Sequence, residues 1–289
     1  MKNNRLLGID MQWDFCHPGV TDYNPNRYYD FISTPGALYV PGAEDDCEVT
    51  ASLINEYGDD IMGMSIPMDT HRPSHIAHAD YWRNKNGDMP KNFVELTKEE
   101  IANEIWFPAH PNGEKHLMRS NWVKDIYMKN MSRNPMTIWP KHCLWGTGGW
   151  QIYPIVQEAI QRWCEKTGKS VDLKFKGLNE NTEWFSAVKA EVADVLDPDT
   201  FIDVEFLNPI KEVDNLLITG QALSHCLRWT VMDIIESIGR EFAKKCTIIR
   251  DCTSSVPVPI FIKNGEDFLE KFQDWGGKVI TAAEVSKIL

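Results

Sequence analysis

Short apolar runs alternate with longer stretches in which apolar residues recur every three or four positions. The first run, Arg5 to Met11, reads as a buried strand that delivers Asp10 at its end. Pro41-Gly42 then opens an amphipathic helix over 43–57, with acids in its first turn where the helix dipole favours them. Asp60 to Ile66 predicts a second strand, closing just before Asp69 and His71. A helix from about Gln151 to Lys166 and a strand over Val171–Lys176 follow. Asn215 to Thr219 is the next strand. Gly220 breaks it, and from about Ser224 the residues Leu227, Val231, Ile234, Ile235 and Ile238 fall at helical spacing. Cys246 to Arg250, a helix over Gly265–Trp275 and a strand over Lys278–Thr281 complete the series.

Strand alternating with helix predicts an α/β protein of three layers, a mainly parallel sheet of about six strands with helices on both faces. Sites in such sheets form at the carboxyl ends of the strands, where Asp10, Asp69, Lys176 and the turn before Cys226 all fall. Two regions break the rhythm. Residues 16–41 read as a loop. From about 79 to 137 the periodicity dissolves into Trp, Asn, Pro and Met, with short helices expected at Thr97–Glu104 and Asn121–Lys129, so this stretch is read as an insertion covering a site. Residues 177–213 read as irregular, with Pro198 and Pro209 as breaks. No repeat or linker divides the chain, and one domain over 1–289 is expected.

Composition narrows the partners. The 289 residues are 43% hydrophobic and 25% charged, as in soluble globular chains. A net charge of −12 without a basic block argues against nucleic acid or an anionic membrane. No apolar run reaches the ~18–20 residues that cross a bilayer, and the N-terminal run is too short for a secretory signal. Seven scattered cysteines without a CxxC pair suggest reduced thiols in a cytoplasm.

Three groups of residues could carry chemistry. Cys226 lies in the first turn of its helix, where unpaired N–H groups favour a thiolate and could receive an oxyanion, although a plain buried cysteine fits the position too. Asp10 and Lys176 could serve it as base and orienting charge, or be a turn cap and a solvated cation. Asp69, His71 and the distant His142 could converge on zinc, iron or manganese, with His75 and His78 close by; loop histidines are also common surface residues.

Five motifs occur in one order: D-M-Q-x-D-F from Asp10 to Phe15, D-x-H from Asp69 to His71, W-P-x-H-C-x-x-G-T-x-G from Trp139 to Gly149, K-G followed by F-S-A from Lys176 to Ala187, and I-T-G-x-A-x-x-x-C from Ile218 to Cys226. This series resembles that of nicotinamidases, within the isochorismatase-like cysteine hydrolase superfamily. The resemblance implies an isochorismatase-type Rossmann-like fold and a metal-dependent amidase of NAD salvage. By it Cys226 is the nucleophile, Asp10 the general base and Lys176 the orienting cation. Ala222 and Cys226 supply the oxyanion hole, with a cis peptide between Gln221 and Ala222. Asp69, His71 and His142 hold one divalent ion, zinc first and iron or manganese otherwise; His75 matches a ligand of some members only. Phe15, Trp139 and Phe185 wall a pocket for a small amide, and relatives often form homo-oligomers.

The sequence also departs from the pattern. Leu223-Ser224-His225 stands where Thr-Glu commonly precedes the residue before the cysteine, which resembles a longer branch of nicotinamidase-related amidases. A related hydrolase acting on a different amide or a ureido substrate is the alternative, and a catalytically silent binding protein a weaker one. Isochorismatases lack the cysteine, and metal-free amidases lack the D-x-H and W-P-x-H ligands.

Overall fold

The computed structural model describes residues 2–19 and 35–289; the middle of the loop expected over 16–41 lies outside the described residues. Its centre is a six-stranded sheet of β1 (Asn4–Ile9), β2 (Ile61–Asp69), β3 (Asp172–Lys176), β4 (Asn215–Gly220), β5 (Cys246–Ile249) and β6 (Lys278–Ile280). The order is β6-β5-β4-β1-β2-β3, and every neighbouring pair is parallel.

Period-two alternation sends successive side chains to opposite faces, and two cores result. Leu6 and Leu217 face one core with α1 (Ala43–Tyr57) and α2 (Pro154–Thr167). Leu7, Ile9, Leu216 and Ile218 face the other, with α3 (Arg228–Ile238) and α4 (Pro259–Asp274). Strands buried on both faces read as unbroken apolar runs, which is why β1 and β4 were visible in the sequence. The chain runs outward from β1 in both directions, so the crevice between β1 and β4 is a topological switch point.

Several boundaries differ from expectation. Gly265 lies inside α4, which begins six residues earlier with Pro259 in its first turn, a position proline tolerates. Pro209 does not break its segment but sits within a helix over Val204–Lys211. Residues 79–137 are also more ordered than their pattern suggested. Two two-stranded antiparallel ribbons, Trp82–Arg83 with Phe107–Pro108 and Glu95–Leu96 with Met136–Thr137, tie the stretch together. Its helices span Lys98–Ala102 and a run from Leu117 to Asn130 with a π turn at Val123–Tyr127. Tyr81, Trp82, Val123, Tyr127 and Ile138 make a third core. No described helix is long and apolar enough to cross a membrane.

Candidate active site

The strand ends bring the sequence-selected residues together. Asp10 follows β1 with a left-handed backbone (φ 47°), and its N–H donates to Pro67 O at 3.0 Å. Asp69 and Lys176 end β2 and β3 directly opposite each other in the register. Lys176 is fully buried, and its ammonium is the hub. Nζ lies 2.9 Å from Asp10 Oδ2, 3.1 Å from Asp69 Oδ1 and 3.6 Å from Cys226 Sγ, and donates to Trp184 O at 3.0 Å. Cys226 belongs to a π turn, Leu223–Leu227, that leads from β4 into α3. The peptide between Gln221 and Ala222 is cis. Among the described residues nothing accepts the Ala222 N–H.

Charge and burial compete here. Burial pushes the Asp10 carboxyl up to about 6 even though Lys176 opposes it. Burial would also raise Asp69, but His71, Lys176 and His142 together hold it well below the usual carboxylate range. Lys176, which burial would discharge, is kept charged by Asp10 and Asp69. The thiolate expected at Cys226 is not favoured at rest: burial drives the thiol well above its ordinary value, and Lys176 offsets only part of that. The turn's N–H groups and one ammonium do not match the loss of water, so the resting group is a thiol beside a carboxyl group.

On the other side of Asp69 lie the imidazoles. Oδ2 is 3.0 Å from His71 Nε2 and 3.3 Å from His142 Nε2. Nδ1 of His142 donates to Pro140 O at 2.7 Å, which leaves the Nε2 lone pair facing Asp69. A ring fixed through its far nitrogen is the usual arrangement of a metal-ligating histidine. The three donor atoms lie within 4.8 Å of one another and are buried, so an Asp-His-His set fits a divalent ion. His71, His75 and His78 form a second trio within the same limit. His75 is disposed differently, however: its Nδ1 accepts the Ala77 N–H at 3.2 Å, which places the proton on Nε2 and leaves no lone pair for an ion.

The motif residues between the chemical groups have structural work. Gln12 is wholly buried and clamps Asp69 by its backbone, accepting from Asp69 N at 2.7 Å and donating to Asp69 O at 2.8 Å. Asp14 accepts the Cys143 N–H at 2.7 Å, and its carboxylate rests against Gly149, where a Cβ would come within 2.2 Å. Gly177 has φ +89°, and a Cβ there would meet the His71 ring at 3.1 Å and Asp69 Oδ1 at 3.2 Å. These contacts account for glycine at both positions.

Phe15, Trp139 and Phe185 line one pocket with Ala222, Cys226, Asp69 and His142. Sequence reasoning did not single out its other walls, Leu38, Val40, Glu183, Trp184, His225 and Val256. Glu183, a buried acid whose carboxyl burial pushes up, stood unremarked inside the K-G…F-S-A motif. The remaining wall residues lie in segments without periodicity, and only His225 had been noted, as a departure.

No family model matches the chain. It is 25% identical over 237 residues to the nicotinamidase of Escherichia coli (strain K12), a match covering 82% of this chain and 78% of that protein. The yeast nicotinamidase Pnc1p bound to the inhibitor nicotinaldehyde has a TM-score of 0.60 at 18% identity, over 96% of this chain and 99% of that one. The Pyrococcus horikoshii pyrazinamidase in complex with zinc has a TM-score of 0.51 at 16% identity, again over 96% and 99%. The parallel sheet with helices on both faces is thus the isochorismatase-like fold. In sequence over most of its length, and in fold, the chain is similar to nicotinamidases.

Proposed function

We propose that the protein is an amidohydrolase that converts a small aromatic carboxamide, nicotinamide first, to the acid and ammonia through a thioester on Cys226. The observation that carries this reading is the position of Lys176 Nζ, in contact with the thiol, the Asp10 carboxylate and Asp69 at once. Asp10 takes the thiol proton as sulfur attacks the amide carbon. The Ala222 and Cys226 N–H groups receive the oxyanion, a contribution of about 3–4 kcal/mol per donor in comparable sites. Asp10 then gives the proton to the departing nitrogen, and ammonia leaves. Next it deprotonates a water that attacks the thioester, and the acid and the thiol are regenerated. Lys176 stays charged throughout and keeps Asp10 able to act as base.

Asp69, His71 and His142 would hold the divalent ion, zinc in the first place. When bound, it would supply an anchor for a ring nitrogen of the substrate and so set the amide against the sulfur. Phe15, Trp139 and Phe185 would sandwich the ring. The reading takes 1–289 as one domain in which the insertion at 79–137 walls the site; Phe93 meets Trp139 edge-on at 6.0 Å, and Lys141 pairs with Asp80 at 2.7 Å. It also places the protein in the cytoplasm, where its seven free cysteines stay reduced.

Ammonia release from nicotinamide by the metal-loaded protein tests the proposal. Cys226→Ala should abolish release while metal content and substrate binding persist. Turnover by that variant, or no release by the wild type, would reject the reading.

A further inference from the structure

The Cys226 pocket is walled mostly by apolar side chains, and the mechanism above leaves two of its polar groups, Glu183 and His225, unused. Of the two, His225 has the more closely fixed surroundings. Its ring lies edge-on to Trp139 (centroids 5.6 Å, 90°) and to Phe261 (4.6 Å, 82°), and tilted against Phe185 (5.8 Å). Such packing leaves the imidazole little freedom to turn.

The proton's position follows from the neighbours. Val256 N–H donates to Ser224 Oγ at 3.2 Å, and Ser224 Oγ lies 2.8 Å from His225 Nδ1. No other acceptor takes the Ser224 hydroxyl among the described residues, so the tautomer that satisfies every group has this hydroxyl donating to Nδ1. Nδ1 therefore accepts, and a neutral ring must carry its own proton on Nε2. Burial, aided by the nearby Arg228 charge, pushes the ring's pKa down to about 3 and keeps it neutral. Nε2 has no partner among the described residues, yet it is not among the fully enclosed polar atoms without one. His225 itself lines the pocket, beside Cys226 and Ala222.

We propose that His225 is a specificity-determining residue whose Nε2–H is a fixed donor selecting aromatic carboxamides that carry a hydrogen-bond acceptor on the ring, a further nitrogen or a hydroxyl. This deepens the amidase reading and rests on it. A bare ring laid over the donor would strip it of water and return nothing, whereas an acceptor would replace the lost bond. The difference corresponds to about tenfold in binding.

Calorimetry on the metal-loaded Cys226→Ala protein tests this, because intact amides bind there without turnover. The probes are pyrazinamide, 5-hydroxynicotinamide and 6-hydroxynicotinamide, each measured against nicotinamide. At least one should bind about tenfold more tightly than nicotinamide. Adding His225→Phe should bring that ratio to near one, and adding His225→Gln, which keeps an N–H donor, should preserve most of it. A ratio unchanged by His225→Phe, no probe outbinding nicotinamide, or no binding of any probe overturns the proposal. Ammonia release by the wild type, run in parallel, fails separately if the amidase reading itself is wrong.

Discussion

Lys176 Nζ and Asp10 Oδ2 are 2.9 Å apart, and neither residue exposes any surface. The pair does not stand alone, since the same ammonium touches Asp69 and Cys226. One positive charge therefore serves two carboxylates. A proton on either acid changes the field on the other, so Asp10 and the edge of the site formed by Asp69 and its imidazoles are electrostatically joined.

Lys176→Met keeps much of the side chain's volume and removes its charge. Breaking a buried pair by deleting one partner costs about 3–5 kcal/mol, and less to the extent that Asp10 answers by taking up a proton. A protonated Asp10 is no base, so kcat/KM for amide hydrolysis should fall by at least about a hundredfold. Urea unfolding and steady-state kinetics read the two effects separately. Stability lost with activity retained would show that Lys176 acts only in the fold.

The raised Asp10 carboxyl gives the pH profile an acid limb. Only the ionised form accepts the thiol proton, so kcat/KM should fall tenfold per pH unit below about 6. A bound cation favours the ionised form and moves the limb downward, while Lys176→Met moves it upward. The stability signs are opposite for the two acids. Asp10, raised in the fold, contributes most below its unfolded value and loses that as pH rises through about 6. Asp69, depressed, contributes above its unfolded value and loses that only as pH falls towards its low folded value. A profile flat down to pH 4 in both wild type and variant would remove Asp10 from the role of base.

Much of this was legible in the sequence because it depends on local pattern. Helix α1 has the bounds that Pro41-Gly42 and the apolar spacing foretold, and six strands could be counted from apolar runs. Asp10, Asp69, Lys176 and Cys226 follow from the rule that strand ends hold sites. What escaped depends on distant contacts. Gly265 looked like a helix start because nothing local says that Ser255 and Leu223 pack against its Cα, which a Cβ would crowd at 2.6 and 3.3 Å. The insertion's core draws Trp82, Tyr127 and Ile138 from pieces too short to show a period. The resting thiol was missed because helix position can be read from spacing, whereas the desolvation that outweighs it cannot.

Metal content should separate the histidines. His142→Ala removes a proposed ligand whose far nitrogen Pro140 already holds, and metal retention should drop at least about tenfold. His75→Ala should leave affinity for the ion nearly unchanged, because its Nδ1 lone pair is engaged by Ala77. For the wild type, excess ion at a hundred times the dissociation constant should add about 2.7 kcal/mol of stability, and a chelator should remove it. Elemental analysis after dialysis and thermal unfolding with and without chelator are the measurements. Equal losses in both variants would move His75 into the ligand set.

Gly177→Ala is a small change in a place with no room for one. The residue has φ +89°, so an alanine there is strained by about 1–2 kcal/mol before any contact is counted. Its Cβ would also press on the His71 ring and on Asp69 Oδ1. Weaker metal retention should accompany the loss of stability, and the control is Gly168→Ala. Gly168 also has positive φ, but nothing lies near its added methyl, so it should lose stability alone.

Trp82→Ala asks whether the insertion folds with the sheet or beside it. Trp82 is fully buried in the third core, and its indole N–H donates to Ile76 O at 2.7 Å, on the segment that carries His75 and His78. Truncating a buried tryptophan costs about 3–5 kcal/mol. If 79–137 is integral to one domain, urea unfolding stays a single transition and its midpoint moves to lower urea. Should the stretch be an independent unit, hydrogen exchange would show it opening alone while amides in β1 and β4 keep their protection. Trp139 supplies the functional readout, because it meets Phe93 of the insertion on one side and His225 of the pocket on the other. In the integral case the variant should therefore raise KM for the amide more than it lowers kcat, since the wall of the pocket loosens while the thiol and its base stay in place.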